Sequence, residues 1–195
     1  AMRPSTAIAP DGPQNLIDAV TVASSPQARG VVAVCAGVIH GAMDVQKVHT
    51  YRLDAFGSGD AGPVGYVEEG ALRLVRPWPS GDAQAAATAL TAIAGAADLP
   101  RVEIVMSHAG ANGAVVQVLV AQGIQGIVVA ATGNGTVHTA LLTALLKAQA
   151  GGVRVVRATR CANGRVLATG ADALPDSQGL SPVKARIALA LGLMN

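Results

Sequence analysis

Gly126-Ile127-Val128-Val129-Ala130-Ala131, then the turn Thr132-Gly133-Asn134-Gly135, then Val137 to Ala150, Gly151-Gly152 and Val153-Arg154-Val155-Val156-Arg157 decide the fold. An uninterrupted apolar run rich in β-branched residues predicts a buried strand. The glycine turn closes it, a helical pattern follows, and paired glycines end the helix before the next strand. Upstream, Val102-Glu103-Ile104-Val105-Met106 predicts another strand, and Ala114 to Gln122 a helix stopped at Gly123. Downstream, Pro182 opens a last helix, Val183 to Leu191. Strands alternating with helices over short loops make residues 101–195 a small, complete, parallel-sheet α/β domain with three layers, doubly wound.

Residues before 101 carry a sparser pattern. Asp11 is placed to cap a helix with Pro13 at an early position. Leu16, Ile17, Val20 and Val22 then predict a short amphipathic helix over 13–24. Gly30 to Ile39 predicts a buried strand that turns at Gly37, and residues 57–65 form a cluster of breakers. Tyr66 to Leu74 predicts a hairpin turning at Glu69-Gly70, and residues 76–100, rich in Pro, Ala and Asp, a linker. Residues 1–75 hold too few elements for a closed domain and read as the tail of a larger α/β domain. That predicts unpaired edges and exposed apolar surface around the strand at 31–36, with residues 1–55 self-associating or poorly ordered.

The chain has 195 residues, 51% apolar and 13% charged, which supports a real core and excludes disorder. Aromatics are 2%, so Ala, Val, Leu and Ile must fill that core. A scattered net charge of +2 argues against nucleic-acid binding. No apolar run reaches about 18 residues, which argues against a membrane span. Ala1-Met2-Arg3-Pro4-Ser5 has no apolar core of a signal peptide, and the compartment, periplasm or cytoplasm, stays open. Cys35 and Cys161 read as two separate, mostly buried thiols, and no Cys/His spacing suggests zinc or calls for a cofactor.

Several residues are candidates for chemistry. Gly133-Asn134-Gly135, between strand and helix, suits an anion, but His138 stands where a third glycine would, so a structural turn fits as well. Lys47, one of three lysines, follows a buried strand beside Asp44 and Thr50. A partly desolvated lysine for proton transfer and a plain solvated one both fit that position. His40, His49, His108 and His138 form no helical pair and read as loop or surface histidines. Ser107 and His108 are adjacent and point opposite ways on an extended chain, which argues against a dyad. Glu68 and Glu69 read as solvated. Asp172 and Asp176 lie in a late polar loop, where solvated charge and a contribution to a partner subunit are both open.

The ordered set of motifs resembles a family. Met2-Arg3-Pro4-Ser5-Thr6 and Asp11-Gly12-Pro13-x-Asn15-Leu16 are similar to a stretch of the bacterial type II L-asparaginases and glutaminase-asparaginases. Asp44-Val45-x-Lys47-x-x-Thr50 resembles their Asp-Val-x-Lys-x-x-Thr motif, and Gly62-Pro63-Val64-Gly65-Tyr66-Val67 their Gly-Pro-Leu-Gly-Tyr segment. Gly126-Ile127-Val128, Gly133-Asn134-Gly135, Thr159-Arg160 and Ser181-Pro182-x-x-Ala185-Arg186 follow in the family's order. The resemblance implies hydrolysis of L-asparagine, with glutamine as second substrate candidate, to L-aspartate and ammonia. It implies a two-domain homo-oligomer, dimer or tetramer, with sites between subunits. The family's mechanism uses a threonine nucleophile from a Thr-Gly-Gly-Thr motif, a tyrosine, and a Thr–Asp–Lys triad.

By that resemblance Lys47 is the triad lysine, and Met2 lies in a stretch that borders the substrate pocket. The partner-subunit Asn aligns near Gly110, with Asn112 two residues on, and the partner-subunit Glu falls where Asp172 is the acid. The 195 residues contain no Thr-Gly-Gly-Thr and no Thr-Asp-Thr. The expectation is therefore the C-terminal part of an asparaginase, inactive alone. Residues 1–55 would be the remnant of the N-terminal domain, 56–100 an interdomain segment, and 101–195 the C-terminal domain. The alternatives are a non-catalytic assembly or ligand-binding module and a nucleotide binder using Gly133-Asn134-Gly135.

Overall fold

The run from Gly30 to Ile39 does not stay in one strand. Ala36 (φ 51°) and Gly37 (φ 72°) both take the left-handed conformation. They fold the run into a hairpin of β1 (Val32–Cys35) and β2 (Val38–Gly41), because two left-handed residues match the twist of antiparallel strands. The computed structural model describes residues 1–167, 169–170 and 173–194. It separates into two units, residues 1–81 and 82–195.

In the first unit, α1 (Gly12–Ala23) precedes β1 and β2. A short ribbon, β3 (Gln46–Lys47) with β4 (Phe56–Gly57), follows. The predicted hairpin is β5 (Gly65–Glu68) and β6 (Ala71–Leu74), turning at Glu69 and Gly70, again both left-handed. Its sheet runs β1-β2-β5-β6, antiparallel throughout. The hairpin thus belongs to the first unit's sheet rather than to a connecting segment. Strand alternation gives this sheet two faces. Val32, Val34, Ile39, Val67 and Leu72 meet Val22 of α1 on one face. Ala33, Cys35, Val38 and His40 lie on the other by the same register.

The buried stripe of α1 is not the predicted one. Asp18 and Val22 are buried, while Leu16, Ile17 and Val20 are exposed. Asn15 Oδ1 accepts the N–H of Ala36 and ties that side of the helix to the β1–β2 turn, and within the helix Asp18 accepts from Gln14 Nε2, both at 2.8 Å. The outer edge of β1 pairs with no strand among the described residues.

In the second unit the expected linker contains a helix, α2 (Ala83–Gly95). Asp82 caps it, accepting from the N–H groups of Gln84 and Ala85, and alanine-rich sequence propagates it. Then come β7 (Val102–Met106), α3 (Ala114–Ala121), β8 (Gly126–Ala131), α4 (Thr139–Ala150), β9 (Arg154–Thr159) and α5 (Pro182–Gly192). The sheet is parallel, in the order β7-β8-β9. Val105, Ile127, Val129 and Val155 pack against Val116 of α3 and Leu141 and Leu145 of α4. Val102, Val128 and Ala158 pack against Ala185 and Leu189 of α5. This is the expected three-layer α/β arrangement with helices on both faces. β8, in the middle, is buried at every residue.

Leu145, fully buried, is a test of that core. Leu145→Ala is expected to cost about 2–5 kcal/mol in urea unfolding. A loss under about 1 kcal/mol would show that α4 is not held by this contact.

Candidate active site

The ribbon β3–β4 of the first unit carries Lys47. Lys47 stands directly across from Phe56, and its ammonium lies 5.8 Å from the ring centroid, within reach of a cation–π attraction. The side chain is exposed, so the partly desolvated lysine allowed by the sequence is not found. A two-residue strand paired on one side only cannot enclose it. The ribbon closes on itself through Val48 N–H to Ala55 O (2.8 Å), and its tip is held by His49 Nδ1, which accepts from the N–H groups of Tyr51 and Arg52.

One guanidinium fixes the lead-in to the ribbon. Arg76 donates through Nη2 to Asp44 Oδ2 and to Gly62 O, and through Nε to Pro63 O. Two motifs far apart in sequence, the one starting at Asp44 and the one starting at Gly62, are thereby joined. Both ends of that ion pair are only partly exposed, so it is better shielded than a surface pair.

Met2 is placed by Asp11. Asp11 occupies the cap position of α1 but makes no cap bond. Its carboxylate instead accepts from the N–H of Met2 (3.0 and 2.8 Å), the N–H of Arg3 (2.8 Å) and Asn15 Nδ2 (3.1 Å). The Arg3 and Met2 amides hold its carboxyl below the ordinary value. Burial pushes the Cys35 thiol up, with Asp11 adding to the rise and Lys47 opposing it.

In the second unit the chain leaves β7 into a cavity of about 320 Å³ lined by Met106, His108, Gly110, Asn112 and Ala114. Such crevices lie beyond the carboxyl ends of parallel strands. Gly110 is left-handed (φ 76°), and Asn112 Oδ1 accepts the N–H of Ala114, fixing the start of α3. So Gly110 and Asn112 share one cavity, Met2 and Lys47 belong to the first unit, and Asp172 lies outside the described residues. Asp176 Oδ1 accepts the N–H of Gln178.

Ser107 is buried and accepts the N–H of His138, while His108 is exposed, so the pair makes no dyad. The Gly133 turn is tied down internally. Gly133 O accepts from Thr159 Oγ1, Gly135 O from Arg157 Nη1, Asn134 Oδ1 from the N–H of Leu167, and Thr132 O from the N–H groups of Gly135 and Thr136. Cys35 is buried as expected, but Cys161 is exposed, because it follows β9 into a loop. Among the described residues no group of three or more His, Cys, Asp or Glu is placed to hold a metal ion. Nor is any helix there long and apolar enough to cross a membrane.

Sequence reasoning missed four residues that brace the segment carrying Lys47: Phe56, Arg76, His40 and Ser58. His40, read as a loop or surface residue, is on β2 and buried. The one signal was alternation, since His40 follows Ile39 and must face away from it.

Comparison with known proteins gives consistent matches. Residues 101–195 match the glutaminase/asparaginase C-terminal domain, and residues 1–80 match the asparaginase N-terminal domain. L-asparaginase 2 of Escherichia coli (strain K12) is 34% identical across 99% of this chain and 57% of that protein. L-asparaginase 2 of Bacillus subtilis (strain 168) is 35% identical across 99% of this chain and 52% of that protein. A crystal structure of a probable cytoplasmic L-asparaginase from Campylobacter jejuni superposes with a TM-score of 0.87 at 31% identity, covering 100% of this chain and 63% of that one. The chain spans little more than half the length of the curated relatives it matches.

The Asp11 anchor has a pH signature. A depressed carboxyl contributes stability above the ordinary value and loses it as pH falls through the depressed one. The Met2 and Arg3 amide shifts are expected to titrate with a midpoint below 3.8, the ordinary Asp value, and to stop titrating in Asp11→Asn. A midpoint at or above 3.8 in the NMR titration would remove the anchor.

Proposed function

Because this chain belongs to the glutaminase/asparaginase family, we propose that its residues serve hydrolysis of the side-chain amide of L-asparagine, giving L-aspartate and ammonia. The observation that carries the reading is Lys47. It lies within Asp44-Val45-x-Lys47-x-x-Thr50, on a ribbon whose lead-in is clamped by Arg76 and whose lysine is matched across the strands by Phe56. Placement of this kind suits proton transfer, because a weak hydroxyl nucleophile needs a positioned partner to carry its proton. In this reading Lys47 completes a triad with a threonine and an aspartate. Met2, held by Asp11, borders the substrate. Gly110, Asn112 and Asp172 serve the site of a neighbouring copy in a homo-oligomer. Glutamine is the second substrate.

The 195 residues contain neither Thr-Gly-Gly-Thr nor Thr-Asp-Thr. They supply the lysine but not the family's nucleophile. Without a nucleophile most of the rate is lost and only binding effects remain. The purified 195 residues are therefore expected to release no ammonia from L-asparagine above a Lys47→Ala control.

A chimera tests the activity itself. The part of L-asparaginase 2 that precedes the matched region is fused ahead of residue 1, and ammonia release is followed. Release that Lys47→Ala lowers by about 10²-fold or more supports the reading. A folded chimera that releases nothing, or one indifferent to Lys47→Ala, sinks it. Lys47-dependent release by the 195 residues alone would instead mean that a hydroxyl within them attacks the amide.

A further inference from the structure

Part of the second face of the four-stranded sheet is covered by the segment that carries Lys47. Cys35, on that face, meets the segment where its thiol lies 3.7 Å from Leu53 O. Ala55 is fully buried in between. At the exit from β4, His40 Nδ1 and Ser58 Oγ are 2.7 Å apart, and both residues are buried. This is a buried side chain–side chain hydrogen bond between the Lys47 segment and the sheet.

Two observations make the contact more than packing. Ser58 occupies the cap position of a one-turn helix, Gly59–Ala61, yet its side chain makes no cap bond. The hydroxyl that would ordinarily serve the helix is turned inward to the imidazole. The far nitrogen, His40 Nε2, is buried with no hydrogen-bond partner among the described residues. A buried N–H without an acceptor is costlier than a bare lone pair. The proton therefore resides on Nδ1, which donates to Ser58 Oγ. Burial also pushes the His40 pKa down, which keeps the ring neutral near pH 7.

We infer that His40 is a positioning residue for Lys47: its Nδ1–H, donated to Ser58 Oγ, latches the exit of the β3–β4 ribbon to the sheet and so holds the ammonium over Phe56. Arg76 holds the lead-in through Asp44, and His40 holds the exit. Lys47 lies between, on a ribbon too short to fix itself. The inference rests on the reading of Lys47 as the functional amine.

Three substitutions in the full chain test it. Ser58→Ala removes the acceptor. His40→Leu removes the donor at similar volume. His40→Asn keeps a side-chain N–H near the position of Nδ1. Two readouts are followed, neither needing turnover. One is amide exchange at Val48, which closes the ribbon on Ala55, against Val64 and Val67, which bond the sheet to Ile39 and Gly37. The other is the ring-current shift of the Lys47 ε-methylene protons over Phe56. Ser58→Ala and His40→Leu are expected to speed exchange at Val48 about tenfold, leave Val64 and Val67 unchanged and collapse the Lys47 shift. His40→Asn restores both. Unchanged exchange at Val48, an equal rise at all three amides, a retained Lys47 shift in Ser58→Ala, or no rescue by His40→Asn overturns the latch. If His40→Leu does not fold, Ser58→Ala decides by the same criteria. Loss of the latch leaves the chimera result standing. Ammonia release indifferent to Lys47 would remove the functional reading and leave the latch standing.

Discussion

A sheet with apolar residues on both faces needs cover on both faces, and what supplies the cover differs between the two units. In residues 82–195 helices do it: α3 and α4 on one side of β8, α5 on the other. In residues 1–81 a helix covers one face only. The segment from Asp44 to Ser58 covers part of the other. The stretch with the lysine is thus also a piece of core packing. The segment is held by side-chain bonds at lead-in and exit, Arg76 to Asp44 and His40 with Ser58, and by the ribbon's own backbone bonds in the middle.

That double duty bears on the role proposed for Lys47. A ribbon held at both ends restricts where the backbone of Lys47 lies, and restricted position favours the proton transfer proposed for it. The ammonium itself stays in contact with water and an aromatic face. Arg76 makes the arrangement cooperative, since one guanidinium holds Asp44 and the carbonyls of Gly62 and Pro63. Moving either loop disturbs the other. Asp11 plays a similar part on the α1 side, gathering the amides of Met2 and Arg3 and the amide group of Asn15 on one carboxylate. Asn15 in turn reaches the β1–β2 turn, so the position of Met2 is tied to the sheet through two side chains.

The elements that were legible and those that were not differ in kind. β7, β8 and β9 could be read because parallel strands covered on both sides leave uninterrupted apolar runs between glycines. α2 could not, because its alanine-rich sequence offers no contrast between faces, and the Pro, Asp and Gly before it resemble a linker. The helix α1 was placed correctly and turned wrongly. Leu16, Ile17 and Val20 made the apolar stripe, but Asn15 found a partner in the β1–β2 turn, and the side carrying Asp18 and Val22 is the buried one. In the candidate site, Lys47 was visible through its motif, whereas His40 was not, since one histidine after an apolar strand has no spacing to betray it.

By itself the sequence determined the parallel α/β order of residues 101–195, the hairpin turning at Glu69-Gly70, the motif around Lys47 and the lack of the family's nucleophile motif. These are local facts, written in runs, breakers and short spacings. Only the tertiary structure decided which face of α1 is inside, that Asp11 grips Met2 and Arg3 instead of capping a helix, and that His40 meets Ser58. Those outcomes turn on pairing between residues far apart along the chain. A polar side chain is buried only where a partner already waits for it, and that partner is set by the packing of other elements, which no local window contains.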